Sequence, residues 1–472
     1  MRKKVLLVNP WIVDFAAYDF WIKPLGLLTV GSILADAGYE ILLLDCMDRE
    51  HPWLQAASLP AKPDGTGHFH KEMVEKPPLY RNIPRHYSRY GLPLDTVAGH
   101  LKAIPSPDLI CVTSGMTYWY PGVLQMIALL KDQFRQVPVM LGGIYATLCR
   151  EHAIAHSGAD GVLCGSDPGK ILALAGQMTG HKSGQPVKQY RYYNDYPSPA
   201  YHLYSKLRSA ALLTSRGCPH NCPFCASNLL VPSFEMRDPE RCVREVQVLA
   251  GRGVRNIAFY DDALLSAKVS HIVPFFTTIR SHRYSVAFHT PNGVQPSMID
   301  RDLAILMRES RVETIRLSFE SSDPHRQAAM GGKVDCDTFC RAVDHLAEAG
   351  YERSKITGYI LAGLPGQKNR EVVDSIRFVL GRGIRVSLAT FSPIPGTKCW
   401  SDAESRGLIA ATDDPLTANN SVFAILSGQI SYEAYTELGT LATTGNRHLL
   451  EHHNPLKDSS FLAAAERLAD LK

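Results

Sequence analysis

Three cysteines, Cys218, Cys222 and Cys225, follow one another with three- and two-residue spacers in Ser215-Arg216-Gly217-Cys218-Pro219-His220-Asn221-Cys222-Pro223-Phe224-Cys225. Three thiolates on one tight loop can each bind one iron of a [4Fe–4S] cube and leave the fourth iron without a protein ligand. A metal with an open position marks a reactive centre, whereas closed sites are structural. The competing reading is zinc, with His220 as a fourth ligand. Zinc sites usually come as two separated pairs, and here Cys242 stands alone on a predicted helix. His220 also lies inside the longer spacer, where its geometry would be cramped.

Such a loop needs rigid elements beneath it. An apolar strand over 210–214 ends just before the cysteines, and further strands are predicted over 256–260, 285–290, 314–319, 355–361 and 385–391, with helices between them. Asp238-Pro239, an N-cap and first helical residue, opens one of these helices. Six βα units in series predict a partial or full parallel barrel, in which chemistry sits at the carboxyl ends of the strands. Ahead of it, strands over 5–8, 40–45, 108–113, 138–141 and 161–164 alternate with helical stretches such as 24–38 and 123–134. That pattern predicts a small doubly wound, Rossmann-like domain. The fold class is α/β, with domains over 1–185 and 206–404, a linker over 186–205 and a mostly helical tail over 405–472. One segment, about 47–100, breaks the rhythm. Rich in Pro, Gly, His, Arg and Tyr, it is too long for an ordinary βα loop and reads as a substrate lid or a loose surface excursion.

Composition narrows the partners. With 45% hydrophobic and 20% charged residues, the 472-residue chain is neither disordered nor fibrous. Lys plus Arg number 50 against 46 Asp plus Glu, a net +4 that offers no concentrated basic face for nucleic acid. No apolar run approaches the roughly 20 residues that span a bilayer. Eleven cysteines, an odd count without an export signal, point to reduced thiols in a cytoplasm.

A CxxxCxxC loop with an aromatic, Phe224, just before its third cysteine and at the end of strand one resembles the radical S-adenosylmethionine (radical SAM) superfamily. The resemblance implies that the open iron chelates the amino and carboxylate groups of S-adenosylmethionine, and that an electron from the cluster cleaves a C–S bond to give a 5′-deoxyadenosyl radical. Phe259-Tyr260-Asp261-Asp262 resembles the family's strand-two segment near the methionine end of that cofactor. Glu320, in Leu317-Ser318-Phe319-Glu320-Ser321, resembles the strand-four acid that faces it. Gly358-Tyr359-Ile360-Leu361-Ala362-Gly363-Leu364-Pro365-Gly366 resembles the strand-five stretch that lines the adenine, which would engage Gly358, Ile360, Gly363, Leu364 and Pro365. Glycines let backbone approach a flat base, and a carboxylate accepts ribose hydroxyls.

The first 180 residues carry a second resemblance. Pro24-Leu25-Gly26-Leu27, Leu42-Leu43-Leu44-Asp45, Ser114-Gly115-Met116-Thr117 and Leu141-Gly142-Gly143-Ile144-Tyr145-Ala146-Thr147 come in the order seen in cobalamin-binding domains fused to radical SAM barrels. This implies corrin or nucleotide-tail contacts from Ser114, Gly115, Met116, Thr117, Gly142, Gly143, Tyr145, Gly165 and Ser166. Two departures stand out. There is no Asp-x-His-x-x-Gly, hence no lower axial histidine, as is common in the radical SAM branch. Cys164-Gly165-Ser166-Asp167-Pro168 also occupies the place of the usual Gly-Glu-Gly-Glu.

Together the resemblances imply a cobalamin-dependent radical SAM enzyme that methylates an unactivated carbon or phosphorus of a small-molecule substrate, reduced by a donor such as flavodoxin or ferredoxin. Radical cyclisation or rearrangement, with or without cobalamin in the N-terminal domain, is the alternative, and a non-catalytic iron–sulfur protein the remote one. His68, His70, Arg85, His86 and Arg89 read as scattered surface groups, His289 as a wall of the barrel mouth, and Cys336, Cys340 and Cys399 as buried thiols.

Overall fold

A computed structural model describes residues 2–56, 62–181 and 189–471. Five parallel strands, β1 (Lys4–Asn9), β2 (Glu40–Asp45), β3 (Leu109–Val112), β4 (Val139–Leu141) and β5 (Gly161–Val162), form a sheet in the order β5-β4-β3-β1-β2. Along β1, Leu6 and Val8 enter one apolar cluster and Val5 and Leu7 another. Both faces are therefore covered, which is why the strand reads as a continuous apolar run. The order reverses between β1 and β3, and the crevice beyond their carboxyl ends is where such sheets bind ligands.

Six further parallel strands come in sequence order: β6 (Ser209–Leu212), β7 (Asn256–Phe259), β8 (Ala287–His289), β9 (Val312–Glu320), β10 (Ile356–Ala362) and β11 (Arg385–Thr390). β6 pairs only with β7 and β11 only with β10, so this is a partial barrel with an open side. Phe259, Phe275, Phe276 and Phe288 stack between its outer face and the helices.

The 47–100 segment is not a loose excursion in its described part. Ser88–Tyr90 pairs antiparallel with Ile12–Asp14 on one side and with Lys71–Met73 on the other, and Gly67–His68 pairs with Tyr18–Asp19. Arg85 packs over the Phe15 and Tyr435 rings, and Arg89 over Trp11 while pairing with Glu72, so these cations are structural. Residues 57–61 and the first residues of the expected linker, 186–188, lie outside the described residues. The remainder of that linker is no loose tether: Tyr201 exchanges hydrogen bonds with the Ala211 backbone and Tyr204 donates to Asp45, tying β6 to β2. At the C-terminus, Tyr432–Leu450 and Ser459–Asp470 pack with Asn369–Gly381. No helix among the described residues is long and apolar enough to cross a membrane.

Candidate active site

The cysteine loop leaves the carboxyl end of β6 through Gly217, whose φ is +72° and where a Cβ would sit 2.2 Å from the Ser233 carbonyl, so only glycine fits. Arg216 anchors the entry by donating to Tyr196 and Glu235. The Cys225 N–H closes a turn on the Cys222 carbonyl at 3.1 Å. Burial raises the Cys218 and Cys222 thiols. The His220 N–H, 3.4 Å from Cys218 Sγ, and the Lys333 charge beside Cys222 pull them back toward the thiolate that a ligand must be. Cys225 is the exposed member. His220 turns its Nε2 to Gln295 Oε1 at 2.9 Å. Among the described residues no three His, Cys, Asp or Glu side chains are grouped to hold one ion. A cube asks for a different arrangement, one thiol for each of three irons, and the loop's donor set suits it.

Two residues from β9 and the loop after it complete this mouth. Glu320 has a φ of +74°, a left-handed backbone that non-glycine residues adopt at a cost of order 1–3 kcal/mol, typically at functional sites. It is buried, and burial pushes its carboxyl up against the pull of Lys333, whose ammonium lies 3.3 Å away. Burial alone would lower Lys333, yet Glu320 and the Cys222 thiol hold it above the ordinary lysine range. Lys333 is not among the residues expected from sequence. Its signal is faint, a lysine after Gly331-Gly332 more than ten positions beyond the strand.

The structure redistributes the other expected contacts. Asp261 does not face the mouth: its buried carboxylate accepts from Thr214 N and Oγ1 and from Ser215 N and Oγ, at 2.6–3.0 Å through Oδ1, and so clamps the strand end that launches the cysteine loop. Asp262, beside it, is pushed up to about 6 by burial, with Ser227 as its hydrogen-bond partner. Tyr260 turns into the barrel and donates to the Phe20 carbonyl at 2.9 Å. Gly358 and Ile360 lie on the outer face. A Cβ at 358 would meet Phe339 and Val379 at 3.1 Å, and Ile360 belongs to the core between barrel and helices. Strand alternation explains both, since an even-numbered residue of β10 points away from the lumen. Leu364 remains beside the loop, sharing an apolar cluster with Phe224, with Gly363 and Pro365 flanking it.

His289 is a wall residue, its Nδ1 against Thr314 and its Nε2 against Asn256, with Trp21 stacked on the ring at 3.9 Å. Burial lowers it to about 4. Trp21, at φ +65°, and Phe20 come from the N-terminal region and plug the open lumen. The same segment continues as Ile22, Lys23, Pro24, Leu25 and Gly26 into the wall of a cavity of about 280 Å³ at the β1/β3 switch point, with Ser114, Gly115 and Gly143 opposite. A smaller adjoining cavity, about 120 Å³, is lined by Gly26, Gly142, Gly143, Gly165 and Ser166. A Cβ at Gly26 or Gly165 would meet nothing within 4 Å, so these glycines leave space that a ligand could fill. Small residues at these strand ends leave a surface against which part of a flat cofactor could lie. Tyr145 does not belong to it, being fully buried and bonded to His152. Thr117 is buried and Met116 packs toward Phe15 and Tyr80, because the turn bends away from the sheet. The helix Ile144–Leu148 beyond Gly143 touches Ser227–Leu230, the helix beyond Cys225, so the two sites adjoin. Cys336 and Cys340 are part-buried and Cys399 buried, with no cluster among them.

Residues 212–379 match the model of the radical SAM superfamily. The chain is 22% identical over 382 residues to an uncharacterized methyltransferase of Pyrococcus horikoshii, covering 74% of this chain and 82% of the relative. It is 20% identical over 475 residues to the cytidylyl-2-hydroxyethylphosphonate methyltransferase of Streptomyces wedmorensis, covering 86% and 83%. Among solved structures, the radical S-adenosylmethionine methyltransferase TsrM from Kitasatospora setae, with cobalamin and a [4Fe-4S] cluster bound, superposes over 99% of both chains with a TM-score of 0.64 at 16% identity. That likeness fixes the fold.

Proposed function

Residues 212–379 form a radical SAM domain, and from that premise we propose that the chain is a cobalamin-dependent radical SAM enzyme that methylates a small molecule at an unactivated carbon or phosphorus. The observation that carries the reading is adjacency. One segment, Phe20 to Gly26, runs from the barrel lumen to the switch-point cavity, and the helices leaving the cysteine loop and the glycine cradle touch. The relatives' methyl transfer and TsrM's two bound cofactors support the same assignment.

Cys218, Cys222 and Cys225 would hold the cluster, and the cradle of Gly26, Ser114, Gly115, Gly142, Gly143, Gly165 and Ser166 the corrin and its tail. When bound, the cluster supplies the electron that cleaves S-adenosylmethionine and cobalamin supplies the methyl carrier. The chain's own residues do the rest. Glu320 and Lys333, paired beside Cys222, present an acceptor and a cation to the polar parts of S-adenosylmethionine. The backbone of Gly363-Leu364-Pro365 would flank its flat base. Asp261 fixes the strand end. Phe20, Trp21 and His289 wall the lumen on its open side and limit the water there, which would quench a radical. Exposed Cys225 gives a reductant such as flavodoxin or ferredoxin a short approach, and a reducing cytoplasm suits the eleven free thiols.

The test is anaerobic turnover of the reconstituted chain with S-adenosylmethionine and a chemical reductant. Formation of 5′-deoxyadenosine, lost in Cys222→Ala, is the expected result. Protein with full iron occupancy that never yields it contradicts the reading.

A further inference from the structure

The lumen beneath the mouth holds two arginines that nothing in the proposed chemistry uses. Arg316 of β9, Thr357 of β10 and Arg385 of β11 are register partners and lie at one level. Their neighbours Leu317 and Val386 belong to the outer core, so the arginines face inward. Arg316 donates one N–H to the Tyr359 hydroxyl at 2.5 Å, and its guanidinium lies 4.3 Å from the Phe20 ring centre. Arg385 has no ion pair or hydrogen-bond partner among the described residues, and its Nε is buried unpartnered. Burial, and after it the charge of Arg316, lowers Arg385 below the ordinary arginine range. The one carboxylate whose charge reaches Arg385 is Asp64, already accepting from the Thr66 N–H and hydroxyl. Asp19, the next acid on the plug, pairs with Arg49.

Two half-buried guanidiniums of like charge, without a carboxylate on either, cost the fold free energy, because charges leave water only when paired. The fold keeps them on the inner face of the barrel, below the carboxyl ends of its strands and beside the Phe20 ring. We propose that Arg316 and Arg385 are the anchor for an oxyanion of the substrate, a carboxylate or a phosphate or phosphonate, in the barrel lumen. Guanidiniums recognise such groups through paired N–H donors. The Phe20 and Tyr359 rings beside Arg316 suit a flat or apolar group next to the oxyanion. This inference deepens the proposed function and rests on it, since it names the substrate class for that same barrel.

The test uses the full chain reconstituted anaerobically with iron, sulfide and cobalamin, titrated calorimetrically with benzoate, phenylphosphonate, inorganic phosphate and the neutral isostere benzamide. Benzoate or phenylphosphonate should bind at least about ten-fold tighter than benzamide, as expected for charged hydrogen bonds in a desolvated site. Either should also exceed inorganic phosphate. Arg385→Gln should erase the preference for charge, and Arg385→Lys should restore part of it. Melting curves without anion separate this role from a packing role: Arg385→Gln should melt no lower than wild type, because it removes an unpaired charge, whereas a structural arginine would leave a less stable protein. Wild type that does not distinguish benzoate from benzamide overturns the proposal, as does an unchanged preference in Arg385→Gln. Inorganic phosphate binding as tightly as phenylphosphonate would make this a free-anion site and overturn the substrate claim. Loss of S-adenosylmethionine binding in Arg385→Gln would give the anion to that cofactor's carboxylate, with the same consequence. Formation of 5′-deoxyadenosine by the wild-type sample reports on the cluster separately, so absence of that product strikes the proposed function and not the anion site.

Discussion

At the carboxyl ends of the six-stranded barrel the groups on offer are side chains: three thiols, a strained glutamate and the lysine paired with it. At the carboxyl ends of the five-stranded sheet they are mostly backbone and absent side chains, with Gly26 and Gly165 opening onto space. In the proposed reading the first region would hold a ligand by charge and metal–thiolate bonds, the second by shape. A single change should therefore be catastrophic in the barrel and graded in the sheet.

The largest effect is expected for Cys222→Ala. Iron should fall from about four per chain to a small fraction, because a cube needs every thiolate it has, while cobalt stays bound; metal analysis of the reconstituted variant checks this. Next is Asp261→Ala, which strands buried donors on Thr214 and Ser215. With each unsatisfied group worth about 1–3 kcal/mol, chemical denaturation should show a loss of about 3–5 kcal/mol and a matching loss of cluster. On the sheet side, Gly26→Leu projects a side chain into open cavity from the first turn of the helix Leu25–Asp36. Cobalamin affinity, read by spectral titration, should drop about 10–100-fold, while the fold gains up to about 1 kcal/mol from losing a helical glycine. Equal cobalamin affinity in this variant would break the contrast between the regions.

The smallest effect concerns Asp48, close to Lys23 of the cavity wall and raised by burial to about 6 from an ordinary 3.8. A carboxyl whose folded pKa is raised favours the fold while protonated. Its contribution is full below about pH 3.8 and is lost as pH rises through about 6, a change of at most about 3 kcal/mol. Asp48→Asn should flatten the stability-against-pH curve across that window; an unaltered slope would show that Asp48 is not the group responsible.

The same contrast explains what could be read from sequence. Cysteine spacing is chemistry written in residue types, and six apolar strands separated by capped helices specify a parallel barrel whose lower layers the structure keeps. Facing is harder. Gly358 and Asp261 stand in the right stretches, yet strand alternation turns one outward and a network with Thr214 and Ser215 takes up the other. Tyr145 and Thr117 illustrate the sheet's difficulty, since a turn's direction depends on packing from the 47–100 segment, which has no period of its own. Lys333 carries only a faint signal because a lysine in a loop more than ten positions beyond a strand is ordinary until a buried carboxylate stands beside it. Trp21 plugs a barrel that begins nearly 190 residues later in the chain, a contact no local pattern encodes.

The central claim is that one chain holds both cofactors in adjoining sites. Anaerobic reconstitution with iron, sulfide and hydroxocobalamin, followed by iron and cobalt quantitation, tests it most directly. About four irons and about one cobalt per chain are predicted; four irons with no cobalt would leave the glycine cradle empty and contradict the account.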